Sequence, residues 1–310
     1  MLLLAIRARQ MSLMVIGLLL CSASFAFTGN IALTFDDAPT ADSPLFSGES
    51  RTTKIIATLI AQKVPDALFF VKADNLTPAT INRIKRYTDA GLHIANHSFS
   101  HVSANNVPAD EFLVDAYRAH LLLKGLDNFL PYFRPPYLHY GKDMEAIAYI
   151  QKNLAALNYK DGFVTIDNAD WAINALLVKA ASEGKKIDLK KARRLYVQVL
   201  IQAIEFFDAL AQKTYGHSPN HVLLLHENDT TALFLGDLIA QIRKSGGHII
   251  SPQEAYADPA YQQFPMSYFQ KQGRVAAAAQ LQGVPIEQLK HPAEDSQYLE
   301  ALFNQHAVFK

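Results

Sequence analysis

Short apolar segments rich in β-branched and aromatic residues alternate along the chain with longer segments of helical periodicity. The strand-length segments are Ile31–Phe35, Ala67–Val71, Leu92–Ala95, Tyr132–Phe133, Phe163–Ile166, His221–Leu225 and His248–Ile250. The helical segments are Thr52–Gln62, Ala79–Ala90, Asp110–Phe129, Asp143–Asn158 and Thr231–Ser245. This alternation predicts parallel β-α units. Seven strands favour an α/β fold with a distorted (β/α)7 barrel and a single catalytic domain, and an open doubly wound sheet is the alternative.

Two stretches depart from this alternation. The stretch from 172 to 216 has a helical pattern throughout, and we interpret it as a helical insertion in a barrel that spans 27–256. Residues 257–310 are polar and interrupted by prolines, which predicts a C-terminal extension. The extension either packs on the barrel or forms a loosely ordered arm.

The N-terminus has the pattern of a secretory signal peptide over residues 1–26. Basic residues precede the apolar run Met11–Leu20, and Ser24–Ala26 fits a cleavage site between small residues. The run is short for a membrane span, which takes about 20 residues. We therefore expect export to the periplasm or medium, with no stable membrane span after cleavage. An uncleaved anchor is one alternative, and a lipoprotein modified at Cys21 is another.

Composition narrows the possible partners and cross-links. The chain has 29 basic and 29 acidic residues, so it lacks the basic excess that nucleic-acid binding requires. Cys21 is the only cysteine, so a mature chain without residues 1–26 would contain no disulfide bond and no thiol ligand.

Polar residues follow five of the seven predicted strands. They are Asp36 and Asp37, His97 and His101, the Arg134–Tyr137 motif, Asp167 with Asp170 and Trp171, and His226. In a barrel, the carboxyl ends of the strands form one face, where active sites lie. We therefore expect these side chains to converge although they are far apart in sequence.

The residue types in these clusters suit metal-assisted hydrolysis. His97 and His101 are four residues apart, and two histidines with one carboxylate form a common catalytic zinc set. Either Asp36 or Asp37 could supply the carboxylate, and the other could accept a proton from water. His226 suits proton donation near neutral pH. The alternative interpretations are a polar loop for the histidines and a turn or helix cap for the paired acids.

The ordered motifs together resemble the polysaccharide deacetylase family, carbohydrate esterase family four. The resemblance runs from Asn30 to Pro252 and rests on Thr34–Asp37, His97–His101, Arg134–Tyr137, Asp167–Trp171 and Leu223–His226. It implies a divalent metal, most often zinc, bound by Asp37, His97 and His101. It further implies Asp36 as general base held by Arg134, His226 as general acid oriented by Asp170, the Tyr137 N–H as an oxyanion donor, and Trp171 along the sugar groove.

The resemblance implies removal of acetyl groups from an N-acetylated polysaccharide of the chitin, peptidoglycan or poly-N-acetylglucosamine type. The alternatives are an O-acetyl esterase, a small-amide hydrolase, and a sugar-binding protein without turnover. Ala38 departs from the glycine usual in the family, and the 172–216 insertion is longer than the family core requires. The sequence predicts no particular protein partner.

Overall fold

The computed structural model describes residues 27–269 and 271–310. The predicted signal peptide (1–26) and the lipoprotein alternative at Cys21 lie outside the described residues and stay predictions. Within the described ranges, no helix combines the length and the apolar character needed to cross a membrane.

A parallel sheet of seven strands forms the centre of the molecule. The strands are β1 (Asn30–Ala38), β2 (Ala67–Val71), β3 (His93–Asn96), β4 (Phe129–Phe133), β5 (Lys160–Asp161), β6 (His221–His226) and β7 (His248–Ile250). Their order is β5-β4-β3-β2-β1-β6, and every pairing is parallel. β7 pairs with the first residues of β1. The distorted (β/α)7 barrel predicted from the sequence is confirmed.

Ten α-helices surround this sheet in the described part of the chain. They are α1 (Gly48–Ala61), α2 (Pro78–Asp89), α3 (Ala109–Leu123), α4 (Met144–Ala156), α5 (Asp170–Ser182), α6 (Leu189–Tyr215), α7 (Asp229–Lys244), α8 (Pro252–Tyr256), α9 (Arg274–Leu281) and α10 (Ser296–Gln305). Local signals set several ends. Thr77 caps α2 ahead of Pro78, and Asp143 caps α4. Gly216 ends α6 in the left-handed conformation that glycine adopts without strain.

The strand predicted at Phe163–Ile166 is wrong. The strand in this region is β5, and the carbonyls that follow it bond to arginines instead of a neighbouring strand. Arg134 donates to the carbonyls of Gly162 and Phe163, and the backbone N–H of Arg274 donates to that of Val164. Because each carbonyl already has a donor, no regular ladder forms there.

The chain after β5 still closes the barrel toward β6. Ile166 forms an isolated parallel bridge with Leu223, and the N–H groups of Thr165 and Ile166 both donate to the carbonyl of Val222. The segment thus reaches β6 through a few bonds rather than a full strand. This irregular closure is the distortion of the barrel.

The predicted helix at Asp110–Phe129 is too long. α3 ends at Leu123, and Asn128 adopts a left-handed backbone (φ 55°) immediately before β4. The Asn128 side chain donates to the carbonyls of Thr88 and Leu92, which holds this turn against the neighbouring β-α unit.

The 172–216 stretch and the C-terminal extension both pack on the barrel. The stretch contains most of α5 and all of α6, and α6 lies against α7 and α9. Val275, Leu299 and Phe303 of the extension are buried in the same hydrophobic core as the strands. The extension is therefore packed on the barrel and is not a loosely ordered arm.

Candidate active site

A cavity of about 930 Å³ opens at the carboxyl ends of the strands. The predicted site residues that line it are Asp36, Asp37, His97, His101, Tyr137, Trp171 and His226. Arg134 and Asp170 are fully buried and bond to two of the lining residues. The structure thus brings together every residue that the sequence singled out for chemistry.

Asp37, His97 and His101 form a compact group of possible metal ligands, with their ligand atoms within 4.8 Å of one another. Asp37 Oδ1 lies 3.1 Å from His101 Nε2 and 3.7 Å from His97 Nε2. Asp37 and His101 both have positive φ angles, 67° and 58°. Non-glycine residues seldom adopt this backbone, and they do so mainly where the surrounding structure holds them for function.

The contacts of His97 and Asp37 leave a ligand atom on each side chain available for a cation. His97 Nδ1 lies 2.8 Å from the carbonyl oxygen of Arg134, which can only accept, so Nδ1 carries the proton and Nε2 is free. Burial lowers the pKa of His97 to about 4, which keeps its ring neutral at neutral pH. Asp37 Oδ1 is buried without a hydrogen-bond donor of suitable geometry in the described chain. Two imidazoles and one carboxylate fit a divalent metal such as zinc.

Asp115, which the sequence analysis missed, shapes the loop that carries His101. Its carboxylate accepts hydrogen bonds from the N–H groups of Phe99 and Ser100 and from the Ser100 hydroxyl. Ser98 Oγ accepts from the N–H of His101. These bonds fix the tight turn that brings His101 beside His97.

Asp36 is held as an ion pair beneath the cavity. Arg134 Nη1 donates to Asp36 Oδ1 over 2.6 Å, and Asp36 Oδ2 lies 3.6 Å from His97 Nε2. Arg134 Nη2 also donates a hydrogen bond to the Tyr256 hydroxyl over 3.1 Å, and the guanidinium stacks over the Phe70 ring. With all these contacts, the guanidinium fixes the Asp36 carboxylate in place.

His226 is oriented by a buried carboxylate. Its Nδ1 lies 2.6 Å from Asp170 Oδ1, and its backbone N–H donates to Asp170 Oδ2. Burial alone would lower the pKa of His226, but the charge and hydrogen bond of Asp170, with smaller effects of Asp37 and Asp36, raise it to about 10. His226 also sits opposite Asp36 in the register of β1 and β6. The protonated imidazole and the Asp36 carboxylate therefore belong to paired positions of neighbouring strands.

Tyr137 and Trp171 lie at the mouth of the cavity. Tyr137 has a positive φ of 61°, and its ring centroid is 4.6 Å from that of His101. The Trp171 side chain is 51% exposed, so this tryptophan is not a core residue. Both rings present flat apolar faces of the kind on which sugar rings stack.

The C-terminal extension supplies a wall of the same cavity, which the sequence analysis did not foresee. Its lining residues include Lys271, Gln272, Lys290, His291, Glu294 and Tyr298. No strand end or spaced motif marks these residues in the sequence, because tertiary packing alone places them.

A comparison with known families agrees with this geometry. The sequence model of the polysaccharide deacetylase family matches residues 28–156. Residues 28–156 belong to the polysaccharide deacetylase family. A curated relative, the peptidoglycan-N-acetylglucosamine deacetylase of Bacillus cereus, is 32% identical over 120 residues, or 37% of this chain. The chain covers 40% of the length of that relative.

Solved structures share the fold of this chain. The chitin deacetylase of Colletotrichum lindemuthianum superposes with a TM-score of 0.52 at 18% identity, over 76% of this chain and 92% of that one. A carbohydrate esterase family four pseudoenzyme of Bacillus anthracis gives 0.51 at 17% identity, over 73% of this chain and 64% of that one. The similarity shows a common barrel, and one of these two proteins is named a pseudoenzyme.

Proposed function

We propose that this protein is a metal-dependent hydrolase that removes acetyl groups from an N-acetylated polysaccharide. One observation carries the proposal: a single cavity contains the Asp37, His97 and His101 group, the Asp36–Arg134 pair and the His226–Asp170 pair. Hydrolysis of an amide needs an electrophile, a base and an acid within reach of one substrate group.

Asp37, His97 and His101 would hold the metal, which we expect to be zinc. When bound, such an ion polarises the acetyl carbonyl and lowers the pKa of water toward ~7. Asp36 is the base that removes a proton from the attacking water, since the hydrogen bond from Arg134 holds its carboxylate at the cavity wall. The backbone N–H of Tyr137 would stabilise the developing oxyanion.

His226 donates the proton that the leaving amine requires. Asp170 holds its Nδ1, which leaves Nε2 as the donor. An amine leaves readily only once it is protonated, and the raised pKa of His226 keeps the imidazole charged at neutral pH. This match favours an N-acetyl over an O-acetyl substrate.

The polymer class is inferred from three features. The curated relative is named for N-acetylglucosamine units of peptidoglycan. Trp171 and Tyr137 expose rings at the cavity mouth, and the predicted signal peptide would export the chain to where envelope and extracellular polymers lie. We therefore propose chitin, peptidoglycan or poly-N-acetylglucosamine as the substrate type and the periplasm or medium as the location.

The test is acetate release by residues 27–310 from N-acetylglucosamine oligomers, with acetylated xylan as the O-acetyl comparison. Zinc-loaded protein should release acetate from the N-acetylated oligomers, and chelation should abolish release until zinc is restored. Asp36→Asn and His226→Ala should each lower kcat by about 10²–10⁴-fold, the usual contribution of a general base or acid. Bound zinc in both variants would show that the loss is not a loss of metal. Turnover of xylan alone, or of no acetylated substrate, would overturn the assignment.

A further inference from the structure

The extension brings a set of hydrogen-bond acceptors to the cavity wall beside His226. The Gln272 amide nitrogen donates to Glu294 Oε2 over 2.7 Å, and Glu294 Oε1 accepts from the N–H of His291. Asp167 lies in the same cavity, three residues before Asp170, and accepts from its neighbour's N–H. All three side chains line the same cavity.

The amide oxygen of Gln272 has no partner. The side chain is only 4% exposed, and Oε1 finds no donor among the residues that the structure describes. Because the amide nitrogen is committed to Glu294, a flip of the amide would break that bond and set two acceptors against each other. A buried acceptor of this kind is costly unless a ligand supplies a donor.

Among the described residues the two carboxylates have no cation in direct contact, and the charges of His226 and Lys290 act on them only from beyond ion-pair distance. In the described part of the chain, no arginine, lysine or histidine nitrogen forms an ion pair with Asp167 or Glu294. Burial, and then the charge of Glu294, raise the pKa of Asp167 well above its usual range, and burial also raises the pKa of Glu294. A positive charge placed between them would relieve this mutual repulsion. Lys271 and Lys290 also line the cavity, but both are exposed to solvent.

The ligand that fits is an organic cation with several donors. Two carboxylates and the unpartnered amide oxygen of Gln272 offer three acceptors, which match the three N–H donors of an ammonium group. We propose that Asp167, Gln272 and Glu294 form a subsite for the ammonium group of an amino sugar. This inference rests on the proposed function. It means that a de-N-acetylated unit binds next to the unit under attack, and that partly deacetylated chains are favoured substrates.

The test is calorimetric binding of three trisaccharides to the zinc-loaded 27–310 protein. They are the β-1,4 glucosamine trimer, the glucose trimer, which carries a hydroxyl in place of each amine, and the N-acetylated trimer, which is measured on Asp36→Asn to prevent turnover. The glucosamine trimer should bind at least tenfold more tightly than the other two. Glu294→Gln and Asp167→Asn, which keep shape and one acceptor oxygen, should each remove most of that preference. Glu300→Gln, which neutralises an exposed acid of α10 outside the cavity lining, should leave it unchanged.

Equal affinity for the glucosamine and glucose trimers would overturn the ammonium subsite, and so would an undiminished preference in both isosteric variants. Thermal unfolding of each variant verifies that the fold is retained. The proposed function fails separately: without acetate release from any oligomer, a glucosamine preference sensitive to Glu294→Gln would still establish the subsite. Acetate release without that preference would leave the function standing and remove the subsite.

Discussion

At the scale of single residues, Asp170 keeps the His226 imidazole protonated. The Asp170 carboxylate is fully buried, bonds to both the ring and the backbone of His226, and accepts a third bond from Asn228. Because the pKa of His226 is raised from 6.5 to about 10, the pair stabilises the fold fully below about pH 6.5, and that stabilisation is lost as pH rises through about 10.

Asp170→Asn should return the pKa of His226 toward its ordinary value, because the negative charge is removed while the shape is kept. NMR titration of the His226 ring in the metal-free protein measures this. His97, whose pKa is lowered mainly by burial, is the internal control and should shift little. A His226 pKa that is unchanged in the variant would show that Asp170 is not what holds the proton.

The Arg134–Asp36 pair is a buried ion pair in which each partner depends on the other. Arg134→Met would leave the Asp36 carboxylate buried without its guanidinium, and we expect a loss of about 3–5 kcal/mol in the free energy of unfolding. Urea denaturation measures the loss. The double variant Arg134→Met/Asp36→Asn removes the unpaired charge and should be more stable than Arg134→Met alone. A double variant no more stable than the single one would mean that Arg134 acts through packing, for example on Phe70.

At the scale of elements, a second buried network fixes the loop between β1 and α1, which begins directly after Ala38. Glu227, at the end of β6, is fully buried and accepts from Arg83, from the Tyr87 hydroxyl and from the N–H of Thr40. The network thus ties the loop after β1 to the loop after β6 and to α2. These are the two strands that carry Asp36, Asp37 and His226.

Glu227→Gln should destabilise the protein by about 3 kcal/mol, because Arg83 would remain buried without a counter-charge. Chemical denaturation measures the change. Glu49→Gln is the matched control, since Glu49 pairs with Arg86 at the surface and its loss should cost less than about 1 kcal/mol. Similar losses in the two variants would contradict a special role for the Glu227 network.

The individual elements also show which features of the fold can be predicted from the sequence. β2 and β7 begin and end at the predicted residues. β2 is buried at every position, and such a parallel strand is a uniform apolar run in the sequence. The site residues converged because parallel strands end at one face. Phe163–Ile166 has the same apolar composition, yet Arg134 and Arg274, distant in sequence, bond to the carbonyls at its start. Local sequence patterns do not reveal such competition for backbone acceptors. They also do not reveal that the extension forms a wall of the cavity.

At the scale of the whole molecule, the extension and the barrel form one packed unit. Val275, Leu299 and Phe303 lie in the main core, and Arg274 forms a buried ion pair with Asp161 of β5. A shared core of this kind favours a single cooperative unfolding transition. The position of the extension is therefore set by the barrel, and the cavity depends on that position.

A substitution at Gly273 tests whether the cavity depends on the position of the extension. A Cβ atom at Gly273 would lie 2.8 Å from the carbonyl oxygen of Val164, which is closer than real contacts allow. Gly273→Ala should therefore push the segment bearing Gln272 away from the barrel, destabilise the protein by about 1–3 kcal/mol, and raise KM for oligosaccharides while zinc content stays the same. Gly236→Ala is the control, since its Cβ would meet only the side chains of Thr58 at 3.5 Å and Gln62 at 3.7 Å, both ordinary contacts. Alanine within a helix should stabilise by about 0.5–1 kcal/mol. Unchanged stability and KM in Gly273→Ala would show that the extension can shift without affecting the cavity. The lining residues of the extension would then have no fixed position relative to the catalytic pairs.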